Sequence, residues 1–265
     1  VTLFFVLSGY LISNILMEQQ SLGTFARSFK NFVVRRALRI FPIYFLVLIG
    51  LLVLQRFSIL VNTDFYTHPG YYWTYLVNYW IELHGNWSDA LSPYWSLSVE
   101  EQFYLLLPAA LMIGWKLTKR FGEKRQLVVL GAGVMVVSLV SFAVGVALSF
   151  GYRLTPLPER FAFFGLPSRI WEFGVGVLLA IVPLQSRMIK KYSAAIFLVS
   201  SVAIIWSALR LESFTPFPGY VALAPVLGTG GLIVVGQNSA SISKILAWRP
   251  LATLGDLSYG WYLWH

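Results

Sequence analysis

The chain has 265 residues, of which 57% are hydrophobic and 12% charged, against about a quarter charged in soluble domains; this excludes an ordinary water-soluble fold and makes lipid the expected solvent. A net charge of +9 would point to nucleic acid in a soluble protein, but Lys and Arg here fall in short clusters between apolar runs, as the positive-inside rule requires, so the basic excess reports topology and no nucleic-acid partner is expected. The absence of cysteine excludes a disulfide framework, a thiolate zinc site and a cysteine nucleophile, and no metal site is expected.

Apolar runs near the roughly 20 residues needed to cross a bilayer fall at about 3–18, 40–56, 95–115, 127–150, 166–184, 193–209, 220–236 and 251–265. They predict an all-α, polytopic transmembrane helix bundle of about eight spans in one membrane-embedded domain, 1–265. Four connections carry the basic residues: Arg27 to Arg39, Lys116 to Arg125, Arg187 to Lys191, and Lys244 with Arg249. These are assigned to the cytoplasm. The connections 57–94, 151–165 and 210–219 are poorer in Lys and Arg and face outward. The first of them contains Tyr71 to Leu83, aromatic enough for an extracytoplasmic cap or a re-entrant segment. The chain opens at Val1 without a methionine and stops at His265 inside an aromatic run, which leads to the expectation that both ends are cut and that at least one element is missing at each.

Membrane burial does not explain several polar residues. In the second span's approach, Arg35 and Arg39 stand at i, i+4 and Arg36 and Arg39 at i, i+3, just before Pro42. Such a guanidinium fork suits phosphate oxygens, while a topogenic, headgroup-binding anchor is the commoner use of such a cluster. The span 95–115 carries Glu100 and Glu101. A charge at a helix centre costs about 2.5–3.5 kcal/mol on insertion scales, so such acids mark a pathway, a partner or a site. Ser96, Glu100 and Tyr104 at i, i+4 and i+8 form one polar stripe, with Glu101 about 100° away. Pro108 cannot donate to the carbonyl of Tyr104, which leaves that carbonyl for another partner. In the span 166–184, Arg169 and Glu172 at i, i+3 can pair on one face, and Gly174 and Gly176 allow close helix approach; a structural ion pair is expected. Gly228 to Gly231 lie in an apolar span with no strand before them, so they serve helix packing and not nucleotide binding. His68 and His84 lie in the cap and His265 at an aromatic terminus, each better read as hydrogen-bonded structural residues than as proton carriers.

Four segments, LFFVLSGYLI at 3–12, RRALRIFPIY at 35–44, YWSLSVEEQFYLLLP at 94–108 and LGDLSYGWYLWH at 254–265, together resemble the membrane acyltransferase-3 family in order and approximate spacing. SRIWEFGVGVLLA at 168–180 also resembles the branch with a fused extracytoplasmic SGNH-type domain. The resemblance implies about ten membrane helices, of which this chain would hold the second through the ninth. It implies no permanently bound cofactor, with cytoplasmic acyl-CoA, commonly acetyl-CoA, as co-substrate. It also implies a sugar or cell-envelope glycan outside as acceptor, such as a polysaccharide or lipopolysaccharide. Arg36 and Arg39 match the family's RxxR motif and, with Arg35, would bind coenzyme A phosphates at the inner mouth. Ser96 and Glu100 match its S-x-x-x-E stripe and would be catalytic, orienting the acceptor hydroxyl or an imidazole. Tyr104, Glu101, Arg169, Glu172 and His265 would give substrate or structural support. The family's Arg and His pair belongs to a helix before Val1.

The expected function is therefore an integral membrane O-acyltransferase of the bacterial plasma membrane, in contact with membrane lipid, acyl-CoA and a glycan acceptor. Two alternatives belong to other classes. One is a multi-pass transporter or flippase of an anionic or lipid-linked substrate, coupled through Glu100, Glu101 and Glu172; the other is a sensor or scaffold without chemistry.

Overall fold

The computed structural model describes residues 1–21, 25–59, 61–84, 90–153, 155–182, 184–210 and 215–264, with the side chains of 21, 25–28, 32, 39, 123, 256 and 259–264 outside the described set. Among the described residues the regular structure is helical throughout. The long helices are α1 (Thr2–Ser21), α2 (Phe25–Arg56), α5 (Tyr94–Thr118), α6 (Glu123–Ser149), α8 (Leu166–Ile181), α10 (Ser193–Arg210), α11 (Leu223–Asn238) and α13 (Arg249–Trp264). Short helices α3 (Pro69–Trp73), α4 (Val77–His84), α7 (Pro158–Phe164), α9 (Arg187–Lys191) and α12 (Ala240–Leu246) connect them.

Each apolar run in the sequence is a helix, and the hydropathy pattern locates the ends to within a few residues, with one exception. The helix over 40–56 begins at Phe25 and runs on through Pro42. Proline forfeits one backbone bond, to Leu38, yet α2 absorbs it. Among the described residues five stretches are long and apolar enough to cross a membrane: Phe29–Arg56, Lys124–Ser149, Pro158–Ile181, Ser193–Arg210 and Tyr220–Asn238. The other three expected spans are the helices α1, α5 and α13, where Glu18, then Glu100 and Glu101, then a length of 16 residues set them apart from those five.

Glycine governs how closely the helices pack. A Cβ at Gly9 would collide with the carbonyl of Phe173, and one at Gly176 with the carbonyl of Val6, so α1 and α8 touch backbone to backbone. Gly174 makes room for the Ser138 side chain on α6, and Gly231 for that of Ser200 on α10. Both readings of these glycines as packing residues agree with this geometry.

Residues 61–84 and 90–93 fold over one end of the bundle. The Tyr44 hydroxyl donates to the carbonyl of Tyr72 at 2.7 Å. Gln102 on α5 donates to the carbonyl of Tyr75 at 3.1 Å and to Asn78 at 2.9 Å, and Asn78, fully buried, donates to the carbonyl of Phe164 at 3.2 Å. Tyr75 holds φ of +56° there. Tyr44 stacks on Tyr75 and packs on Tyr94, closing an aromatic layer between cap and bundle.

Candidate active site

The polar stripe of α5 sets the site. The cap tethers of Tyr75 and Asn78 to Gln102 fix how α5 is rotated, and this turns Ser96, Glu100 and Tyr104 toward α1 and α2. Tyr104 is the hub: its hydroxyl donates to Glu100 Oε2 at 2.6 Å, lies 2.9 Å from Ser8 Oγ, and accepts from Arg36 Nη2. The Arg36 guanidinium also lies over the Tyr104 ring, 4.2 Å from its centroid, the arrangement in which a ring face attracts a cation. Three helices thus meet at one phenolic oxygen. Charge-assisted bonds of this kind in a low-dielectric setting are about twice as strong as neutral ones.

Ser8, Arg36, Ser96 and Glu100 line one cavity of about 230 Å³, whose remaining walls come from Val1, Phe4, Leu7 and Leu11 at and along α1, Ile40 on α2, Leu97 on α5 and Gly255 and Ser258 on α13. The Ser96 hydroxyl also turns back to the carbonyl of Pro93 at 3.4 Å. The cavity holds a serine hydroxyl from each of three helices, one carboxylate and one guanidinium, the donors and acceptors that a reaction at a carbonyl needs.

The arginine cluster is divided. Arg36 turns into the bundle, about 12 Å along α2 from Tyr44 at 1.5 Å per residue, whereas Arg35 is exposed on another face. The side chain of Arg39 lies outside the described residues, so the expected fork is represented here by two separated guanidiniums. Glu101 stands apart from the stripe, with Oε1 buried and unpartnered among the described residues and Arg36 within Coulomb reach.

Arg169 and Glu172 form the expected ion pair at 2.6 Å, with side chains 1% and 0% exposed. The aromatic cage around it was not legible in sequence. The guanidinium lies 5.0–5.7 Å from the centroids of Phe5, Trp95, Phe163 and Phe217, contributed by α1, α5, α7 and the connection before α11. A charge at that depth is tolerated only with its partner and such ring faces around it. The pair locks α8 to its neighbours beside the cavity and does not line it.

His68 and His84 both stack on Trp80, each at 3.8 Å, and the Trp80 indole donates to Asp64 at 3.1 Å. They are structural parts of the cap, away from the polar cavity. On α4, burial holds the Glu82 carboxyl up at about 6. His265 lies outside the described residues. Among the described residues no group of three or more His, Asp or Glu is placed to hold a metal ion.

Two contributors escaped the sequence reading, Ser8 and the inward turn of Arg36. Ser8 left a faint signal, the one serine within the largely apolar LFFVLSGYLI run.

The Acyl_transf_3 family, described as an acyltransferase domain, matches residues 1–265. The peptidoglycan O-acetyltransferase OatA of Listeria monocytogenes is 29% identical over 285 residues, covering 100% of this chain and 44% of the relative. The putative peptidoglycan O-acetyltransferase YrhL of Bacillus subtilis is 29% identical, covering 100% and 43%. The O-acetyltransferase OatA of Staphylococcus aureus is 27% identical, covering 100% and 45%. The chain therefore spans less than half the length of these curated relatives. No solved structure matches it.

Proposed function

Because this chain belongs to the Acyl_transf_3 acyltransferase family, we propose that it forms the membrane part of an O-acyltransferase that moves an acyl group from cytoplasmic acyl-CoA to a hydroxyl of an extracytoplasmic cell-envelope glycan. The observation that carries this reading is the meeting of Ser8, Arg36 and Glu100 at the Tyr104 hydroxyl, beside a cavity that three of them line. The names of the relatives favour acetyl as the acyl group and peptidoglycan as the acceptor. A cavity of about 230 Å³ also suits a short acyl group, since sites for larger ligands run to about 300–1,000 Å³.

In this reading the acceptor hydroxyl attacks the thioester carbonyl, a C–O bond forms as the C–S bond breaks, and the hydroxyl proton ends on the departing thiol. Arg36 stabilises the oxyanion that develops, a task in which a fixed donor counts most where water is excluded. Glu100 orients the acceptor hydroxyl and gives electrostatic support, with Tyr104 holding it in place. With Arg36 so engaged, the donor phosphates fall to Arg35 and Arg39, one helical turn apart at the cytoplasmic end of α2. In this reading eight spans place the basic connections inside and the cap outside, so that the thioester enters from one face and the glycan from the other. The bacterial sources of the relatives favour the plasma membrane, and the likeness at 168–180 favours an SGNH-type partner domain in the same protein.

The test is acyl transfer from radiolabelled acetyl-CoA in membranes containing the full-length protein, with Glu100→Gln alongside. Ester-linked label on glycan with the parent, and its loss in a normally inserted variant, is the expected result. Substrate counterflow without thioester consumption would instead establish the transporter.

A further inference from the structure

A second cavity, of about 410 Å³, lies between α5, α6 and α8. Phe103 borders it and stacks on Phe173, which stacks on Phe5, so an aromatic layer separates it from the polar cavity. Its walls are aliphatic, with Leu107 and Leu111 from α5, Val134 and Val137 from α6 and Val177 from α8 among them. The two hydroxyls on its lining are already committed: Thr118 donates to the carbonyl of Gly114 at 2.6 Å and Ser138 to that of Val134 at 2.8 Å. Nothing polar is offered to an occupant along this length. Along α5 the cavity runs from Phe103 to Thr118, about 22 Å at 1.5 Å per residue, which covers the roughly 15 Å depth of one leaflet. Gly133 opens directly onto it, since a Cβ there would meet nothing within 4 Å.

The Thr118 end leads into the basic connection. There the guanidiniums of Arg120 and Arg125 lie 5.1 and 5.3 Å from the centroid of the same ring, Phe121. Phe121 thus gathers two cations around one ring, three residues beyond the Thr118 end of the apolar slot, and no carboxylate pairs with either among the described residues. An apolar slot accepts any hydrocarbon chain, but two guanidiniums beyond its end favour a net-anionic phosphate head over a zwitterionic one, whose ammonium they repel. We propose that this cavity binds one acyl chain of an anionic phospholipid of the inner leaflet, with its phosphate on Arg120 and Arg125. The chain fills the space that α5 leaves beside α6 and α8, and so braces the helix that carries Glu100 and Tyr104. The site is separate from acyl transfer, and a binding measurement decides it whether or not the transfer reading holds.

The test is native mass spectrometry of the detergent-solubilised full-length protein, titrated with phosphatidylglycerol and with phosphatidylcholine. The parent should take up one phosphatidylglycerol saturably, about tenfold more tightly than phosphatidylcholine, the usual worth of a charge-assisted contact near a surface. Arg120→Gln with Arg125→Gln should bring phosphatidylglycerol down to the phosphatidylcholine level. Gly133→Leu, whose Cβ meets nothing within 4 Å and whose side chain takes up space in the slot, should weaken both lipids. The arginine variant alters only exposed side chains, so it keeps the test decisive should the leucine variant fail to assemble. Equal binding of the two lipids to the parent would overturn the proposal, as would unaltered binding to Gly133→Leu, which would leave only a surface headgroup contact. Displacement of phosphatidylglycerol by palmitoyl-CoA that itself depends on Gly133 would assign the slot to an acyl donor and likewise overturn it.

Discussion

Tyr104→Phe isolates the hub of the site with the least disturbance to the fold. The ring remains beneath the Arg36 guanidinium, 4.2 Å from centroid to carbon, and only the hydroxyl that joins Ser8, Arg36 and Glu100 is lost. Leaving partners of a buried hydrogen bond unsatisfied costs about 1–3 kcal/mol, more when they are charged. That is tolerable for a bundle whose helices are tied together by many other contacts. The catalytic cost is larger, because Glu100 and Arg36 are both oriented through the missing oxygen. Loss of one positioned donor at an acyl-transfer centre costs about 10²–10³ in turnover, and Tyr104→Phe should fall in that range with unchanged membrane insertion. Turnover of labelled acetyl-CoA into glycan ester, normalised to folded protein by size-exclusion profile, measures it. A variant with full turnover would refute the assignment of Tyr104 as the hub, and a variant that fails to fold would show the cluster to be structural.

Gly176→Leu should prevent assembly, since even a Cβ collides with the α1 backbone, and the monodisperse peak in size-exclusion chromatography should disappear; a folded variant would show that α1 and α8 can separate. Arg169→Met leaves Glu172 fully buried without its cation, a change worth about 3–5 kcal/mol, whereas Arg169→Met with Glu172→Leu removes both ionisable groups and should recover most of the loss. Thermal unfolding of the two variants compares them, and equal destabilisation would refute the pairing. Glu82 in the cap, held up at about 6 from 4.5 by burial, binds its proton more tightly folded than unfolded. Its contribution is fully present below about pH 4.5 and is lost as pH rises through 6, to a total of about 2 kcal/mol. Hydrogen exchange over residues 77–84 should quicken across that window in the parent and not in Glu82→Gln; parallel profiles would place the carboxyl in water.

What could be read from the sequence was whatever repeats along one helix. Hydropathy located the helices because lipid demands about 20 apolar residues at a stretch. The stripe of Ser96, Glu100 and Tyr104 and the pairing of Arg169 with Glu172 followed from helical spacing alone. Contacts between helices had no such periodicity. The approach of Ser8 to Tyr104 depends on Gly9 and Gly176 bringing α1 against α8, and the four rings around Arg169 come from segments far apart in the chain. Arg36 is the instructive case. Its neighbours Arg35 and Arg39 made it look like one member of a cytoplasmic anchor, and only the antiparallel packing of α2 on α5 brings it to a tyrosine deep in the bundle. Gln102 and Asn78, which tie the cap to α5, carried no signal because amides between apolar residues have no preferred partner until the tertiary fold supplies one.

The most direct test of acyl transfer across the bundle is sided delivery. Full-length protein is reconstituted in oriented vesicles, with labelled acetyl-CoA on the face bearing Arg35 and Lys116 and glycan acceptor on the face bearing the cap. Ester-linked label should accumulate on the acceptor from that face alone and vanish with Glu100→Gln. Equal transfer from acetyl-CoA on the cap side, or glycan movement without ester formation, would contradict the account.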